Sequence, residues 1–162
     1  MDVTIRPFRE NDAEALAALT EASIRDIGSR AYTPEQIAAW VAPHPVPERF
    51  RSRARAGSEY FLAVDAADRP LAFALLEPDG HLDMLYCHPD HAGRGLALQV
   101  LAAAERHARA ARLTRLYTEA SELARPVFAK AGYVLLRRRD FTIGPKDAPV
   151  PIHNYAMEKR LD

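Results

Sequence analysis

The segment from His81 to Ala97 concentrates the side chains of this chain that could do chemistry. It holds His81, Asp83, Cys87, His88 and His91, followed by the turn Ala92-Gly93-Arg94-Gly95-Leu96-Ala97. A histidine titrates near neutrality and suits proton transfer. Asp83, two residues on, projects from the same face of a strand, where it would orient His81 or attract a cation. Glycines at 93 and 95 let the backbone approach a ligand closely, and the free N–H groups of a first helical turn attract an anion. The two features together describe proton transfer beside a phosphate or pyrophosphate. The same glycines would also serve an ordinary tight strand-to-helix turn. A Rossmann fingerprint would need a small residue where Leu98 stands, and a P-loop would need a Gly-Lys-Ser/Thr ending; neither is there. No second ligand pair with zinc spacing accompanies the five ligand-type side chains, so no metal is expected. Cys87 is the only cysteine, which excludes an internal disulfide and leaves no resolving thiol for redox chemistry.

The elements that must position these groups follow from the hydrophobic pattern. Leu82 to Cys87 is short, apolar and aromatic, as a buried strand should be, and Pro78-Asp79-Gly80 is the turn that feeds it. After the glycine turn, Ala97, Val100, Leu101, Ala104 and Ala108 recur at helical spacing on one face. Upstream, Val3 to Phe8 reads as an opening strand, and Asn11 or Asp12 as the N-cap of a first helix with Ala15, Leu16 and Leu19 on its apolar stripe. Thr33 before Pro34 predicts a short helix to Trp40, with Ile37 and Trp40 toward the core. His44-Pro45-Val46-Pro47 interrupts it, and Glu48 to Arg55 forms another helix. Tyr60–Val64 and Leu71–Leu76 are two strands joined by a polar turn. Thr114–Glu119 is the next strand, and a helix from about Glu122 to Ala131 stops at Gly132, a residue suited to a left-handed C-cap. Tyr133–Leu136 and Asn154–Lys159 close the series.

This ordered series, and the loop above all, resembles the GCN5-related N-acetyltransferases (GNAT family) over nearly the whole chain. The family's acetyl-CoA loop is written Gln/Arg-x-x-Gly-x-Gly/Ala. Here Gly95-Leu96-Ala97 fits its end, while Ala92 replaces the usual Gln or Arg. The resemblance implies an α+β fold (α/β/α-type), a mixed and mostly antiparallel central sheet flanked by helices, in one domain spanning residues 1–162. It also implies acetyl-CoA as co-substrate, its pyrophosphate held by the amides of Ala92, Gly93, Arg94, Gly95, Leu96 and Ala97. Carried onto this sequence, the family's carbonyl-binding backbone amide falls at Leu85, with Tyr86 and Cys87 beside the pantetheine. Ser121 stands where members often have an Asn that contacts the pantetheine, and equally fits as an N-cap. The family's proton donor, commonly a Tyr four residues before the glycine that ends the later helix, falls at Phe128, so the usual acid is missing. The place of a carboxylate base, on the strand that ends in the loop, falls at His81, with Asp83 beside it; Glu119 and Tyr86 are further candidates. Tyr32 and Trp40, in the segment that covers the acceptor in this family, would line the substrate pocket or plug the first helix against the sheet.

Composition agrees with a soluble enzyme of this kind. Lys plus Arg and Asp plus Glu both number 22 in 162 residues, so no global field favours nucleic acid or an anionic membrane. Arg137-Arg138-Arg139 is the one tight basic run and reads as a solvated strand edge. No stretch approaches a transmembrane span or a secretory signal, so a cytoplasmic location is expected. The expectation is therefore an acetyl-CoA-dependent N-acetyltransferase that transfers directly to an amine in a ternary complex. A non-catalytic acyl-CoA-binding regulatory module on the same fold is the alternative, and self-association into a homodimer stays open.

Overall fold

The computed structural model describes residues 2–44 and 46–162; Pro45, within the expected break after Trp40, lies outside the described residues. The chain runs β1 (Thr4–Pro7), α1 (Ala13–Asp26), α2 (Pro34–Val41), α3 (Pro47–Arg55), β2 (Glu59–Val64), β3 (Pro70–Leu76), β4 (Leu82–Cys87), α4 (Leu96–Ala110), β5 (Arg115–Ala120), α5 (Arg125–Lys130), β6 (Val134–Ile143) and β7 (Val150–Arg160). Strands β1-β2-β3-β4 form one antiparallel sheet and β5-β7-β6 another. Among the described residues the two meet through one parallel bridge, between His81 and Tyr117. The mixed, mostly antiparallel α+β arrangement is the one expected, with the sheet parted in the middle.

Helix α4 covers one face. Leu96, Val100, Leu101, Ala104 and Ala108 are buried there against β3, β5 and β7. Its alanines let the helix lie close to the sheet, and removal of this apolar area from water is what holds it there. The other face is covered by α1 and α3, where Leu16, Phe50, Tyr60 and Phe73 pack together, and by α2, whose Ile37 and Val41 pack with Ile152. Thr33 caps α2 as its sequence predicts: its Oγ1 accepts from the Gln36 amide (3.2 Å) and Gln36 reaches back to the Thr33 amide (2.9 Å).

Several boundaries depart from the sequence pattern for physical reasons. Asp12 precedes α1, but its carboxylate accepts from both terminal nitrogens of the Arg6 guanidinium (2.9 Å each) and from the Arg9 amide, leaving the helix without a side-chain cap. Ala15 faces solvent, while Leu16 and Leu19 are buried as expected and Ala13, Ala17 and Thr20 complete the stripe. Helix α5 begins at Arg125 rather than Glu122, with Pro126 in its first turn, where the missing N–H costs nothing. β6 runs on through the arginines to Ile143, because β7 pairs with it along its length and solvent takes the polar side chains. Val134, Leu135 and Leu136 lie in a strand, as expected, and their side chains are exposed. Pro151 is tolerated in β7 because β5 pairs only from Tyr155 onward, so one edge of β7 is free there.

Gly80 lies where the two sheets join. Its φ is +101°, its carbonyl accepts from the Tyr117 amide (3.1 Å), and an added Cβ would collide with the Arg115 carbonyl. Gly80→Ala is expected to cost about 1–3 kcal/mol or more, from backbone strain alone. The urea midpoint relative to wild type measures it; an unchanged midpoint would mean that the junction can relax.

Candidate active site at the parting of two strands

β4 and β5 separate just beyond their bridge. The Thr118 hydroxyl donates to the Leu82 carbonyl (2.8 Å), and past that point β4 pairs only with β3 and β5 only with β7. The edge of β4 facing this gap follows from its register. Cys87 lies opposite Ala72, and the His88 amide donates to the Leu71 carbonyl (2.8 Å). In an antiparallel ladder, residues bonded to the neighbour alternate with residues whose polar groups point away. Tyr86 therefore bonds toward β3, and the N–H groups of Leu85 and Cys87 point into the gap.

A register shift puts a bulge at Asp83, since Leu75 pairs with Met84 and Leu76 with Leu82. The bulge keeps His81 and Asp83 on one face, with Nδ1 and Oδ1 3.8 Å apart. It turns Leu85 to the opposite face, where it packs toward α4. Simple alternation along the strand would have put all three on the same side.

Two cavities open from the gap, of about 290 and 310 Å³, and they share Trp40, Leu85, Tyr86, Ser121 and Ala124 as walls. The second is lined by the loop: Ala92, Gly93, Gly95, Leu96 and Ala97, with Cys87 and Lys130. Gly93 and Gly95 both have φ +78°, and no atom lies within 4 Å of where a Cβ would stand, so the loop backbone fronts open space. The first N–H groups of α4 are free there, as at any helix N-terminus, and the helix dipole favours an anion. Lys130, which the sequence pattern gave no reason to select, adds a cation to this wall. Arg94 is exposed and its side chain does not line the cavity. Burial pushes the Cys87 thiol pKa up, which keeps it a neutral wall residue.

The first cavity opens on the α2 side. His81 stacks on Tyr117 with ring centroids 4.8 Å apart, and both its nitrogens face carboxylates: Nδ1 to Glu77 Oε1 at 2.5 Å and Nε2 to Glu119 Oε1 at 2.8 Å. Burial by itself disfavours charge on the imidazole, but Glu77, Glu119 and Asp83 outweigh it and hold the pKa above the usual histidine value. Asp83 pairs with Arg53 (2.5 Å). Glu77, His81 and Asp83 approach within 4.8 Å of one another, while His88 turns back to accept from the Asp90 amide.

Ser121 accepts from the Ala124 amide (3.1 Å), so it caps the turn between β5 and α5 while lining both cavities. That turn is tied to β7 by a compact network. Glu122 Oε2 accepts from Tyr155 (2.8 Å) and faces His153 Nε2 (2.6 Å). Tyr32 accepts from the Glu122 amide (2.8 Å) and donates to the His153 carbonyl (3.0 Å). Tyr32 thus both walls the cavity and fastens the segment after α1 to β7, with Trp40 edge-on against its ring (5.4 Å). Phe128 is buried, stands edge-to-face with Tyr133 at 5.0 Å, and lines the His81 cavity rather than the loop cavity. Glu77 reaches His81 across the Pro78-Asp79-Gly80 turn, four residues away, whereas Glu122 and His153 meet only through the tertiary fold, 31 residues apart.

A glycine turn at a helix N-terminus thus opens through parted strands onto a second cavity with titratable groups. The model of the acetyltransferase (GNAT) domain family matches residues 29–144, and the chain belongs to that family. It is similar to a GCN5-related N-acetyltransferase from Rhodopseudomonas palustris, 32% identical over 99% of this chain and 97% of the other, with a TM-score of 0.87. The PaiA N-acetyltransferase of Thermoplasma acidophilum, solved in complex with coenzyme A, shares the fold at 17% identity, a TM-score of 0.78, and 99% and 100% coverage. An uncharacterized N-acetyltransferase of Escherichia coli (strain K12), YafP, is 25% identical over 138 residues, 85% of each chain.

Two outcomes are expected here. Acetyl-CoA should raise the melting temperature by mass action, and Gly95→Glu, which adds bulk and like charge before α4, should abolish that rise with the unliganded protein still folded. Phe128→Ala should lower stability by about 3–5 kcal/mol, since it empties a packed site; a ring that served the ligand alone would leave stability unchanged.

Proposed function

We propose that the protein moves an acetyl group from acetyl-CoA to an amine by direct attack within a ternary complex. The observation that carries this is the meeting of the two cavities at Leu85, Tyr86 and Ser121, where the loop arm and the arm holding His81 reach one point. In this reading the amides of Gly93 to Ala97 hold the pyrophosphate, with Ala92 contributing only its backbone. The Leu85 N–H donates to the thioester oxygen as charge builds on it, a donor fixed in advance by the strand. The Cys87 N–H and the Ser121 side meet the pantetheine.

Amine attack on the thioester carbon requires that the nitrogen lose a proton. His81 and Glu119 share one hydrogen bond and line the acceptor arm, so the pair accepts that proton as a unit, directly or through water. Glu77, on the other ring nitrogen, holds the imidazole in place, and Asp83 adds negative charge near an incoming ammonium. The tetrahedral intermediate collapses by breaking the C–S bond. With Phe128 carrying no proton, the thiolate draws its proton from water at the loop arm. Phe128 is also the observation that favours a binding-only role; thiol release with a panel of amines separates the two, because a sensor binds acetyl-CoA and releases none.

The sign of the pH dependence follows from His81. Below its raised pKa the pair already holds the proton and cannot accept another, so turnover should rise with pH through a value above the ordinary 6.5 of histidine. His81→Gln and Glu119→Gln should each lower kcat by about 10²–10⁴-fold, with acetyl-CoA affinity retained. Turnover against pH for the three proteins is the measurement. An ascending limb that keeps its full height in both variants belongs to the amine, and the pair is then structural.

A further inference from the structure

The charged side chains on the His81 cavity are not balanced in the way the rest of the protein is. Asp83, Glu119, His81 and Arg139 all line it. Asp83 pairs with Arg53, and Glu119 with His81. Of the other histidines on the wall, His153 bonds Glu122, and burial keeps His44 below its usual pKa, its Nδ1 2.7 Å from the Trp40 carbonyl. Arg139 alone has no carboxylate partner among the described residues. Its Nη1 donates to Asn154 Oδ1 (3.0 Å), and its guanidinium lies 5.1 Å over the ring of Phe141. The half-buried guanidinium lines the cavity and spends one terminal nitrogen on Asn154, and its planar donor fork is of the kind that matches a carboxylate.

The sheet register fixes where this cation stands relative to the proposed proton acceptor. Glu119 on β5 is opposite Ala156 on β7, and Arg139 on β6 is opposite Asn154, two residues along the same face of β7. Two strand spacings across and two residues along separate their Cα atoms by about 12 Å. Both side chains line the same cavity, Glu119 turned to His81 and Arg139 to Asn154. Tyr32, Trp40, Phe141, Ile143 and Ile152 supply apolar wall beside them.

We propose that Arg139 binds the carboxylate of the acceptor, so that the substrate is a carboxylated amine: an amino acid with an apolar or aromatic side chain, rather than a simple amine or a polyamine. This rests on the acetyl-transfer reading above and names its substrate class. The carboxylate seats on Arg139 and Asn154, the apolar group lies along Phe141 and Ile152, and the amino group is left toward His81 and Glu119.

Matched pairs that differ only in the carboxylate test it: phenylalanine with phenethylamine, and leucine with 3-methylbutylamine. Thiol release from acetyl-CoA gives turnover, and calorimetry on protein saturated with CoA gives binding of the amino acids. Wild type should favour each acid over its amine by roughly 10–100-fold in kcat/KM, the worth of a charged hydrogen-bonded pair. Arg139→Gln should close that gap through KM, Arg139→Lys should reopen it in part, and the melting shift caused by acetyl-CoA should stay in both. Turnover in which amines equal or exceed acids, or a preference that survives Arg139→Gln, overturns the carboxylate site and leaves acetyl transfer standing. Amino-acid binding that depends on Arg139 without any thiol release upholds the site and overturns the transferase reading. Neither binding nor turnover overturns both.

Discussion

Everything at this site depends on β4 and β5 being joined at one end and parted at the other. The joint is small: the His81–Tyr117 bridge, the Tyr117 amide on the Gly80 carbonyl, and the Thr118 hydroxyl on the Leu82 carbonyl. Gly80 makes it feasible, because no side chain fits between its Cα and the Arg115 carbonyl. Once the strands diverge, the outward N–H groups of Leu85 and Cys87 have no neighbouring strand to satisfy them. Unpaired strand edges are ordinarily a liability; here they are enclosed between α4, α5 and α2, and in the proposed function they are donors for a ligand.

The joint also assembles the charged cluster. Tyr117 stacks under His81, Tyr117 bonds Asp79, and Glu119 reaches the imidazole from two residues further along β5. The same few residues that fasten the sheets therefore set the protonation of the imidazole and aim it into the cavity. A second brace, Glu122 with Tyr32, His153 and Tyr155, fixes the far wall. With both walls fixed, Ser121 stands where the two cavities meet.

Much of the framework was legible in the sequence. The glycines before an apolar helix, the capping box at Thr33, the turn at Gly80 and the glycine after α5 are local signals with local causes, and they fell where expected. The boundaries that moved did so under tertiary influence. Asp12 abandons its helix for Arg6, and the arginines of β6 stay extended because β7 pairs with them. Val134–Leu136 carried a strand pattern, and the pairing is there, with their side chains about half exposed.

The sequence by itself determined that a glycine turn opening a helix follows the strand that starts beside His81 and carries Asp83, because backbone freedom at glycine and periodic burial are properties of a few neighbouring residues. Tertiary structure decided which carboxylates hold that histidine and on which face Leu85 lies. It also decided that Arg139, legible only as part of a solvated basic run, turns inward over Phe141. Apart from Glu77, which is four residues from His81 across a turn, these outcomes depend on a bulge and on strand pairings between residues tens of positions apart. No local pattern encodes such pairings, because their free energy comes from burying both partners at once.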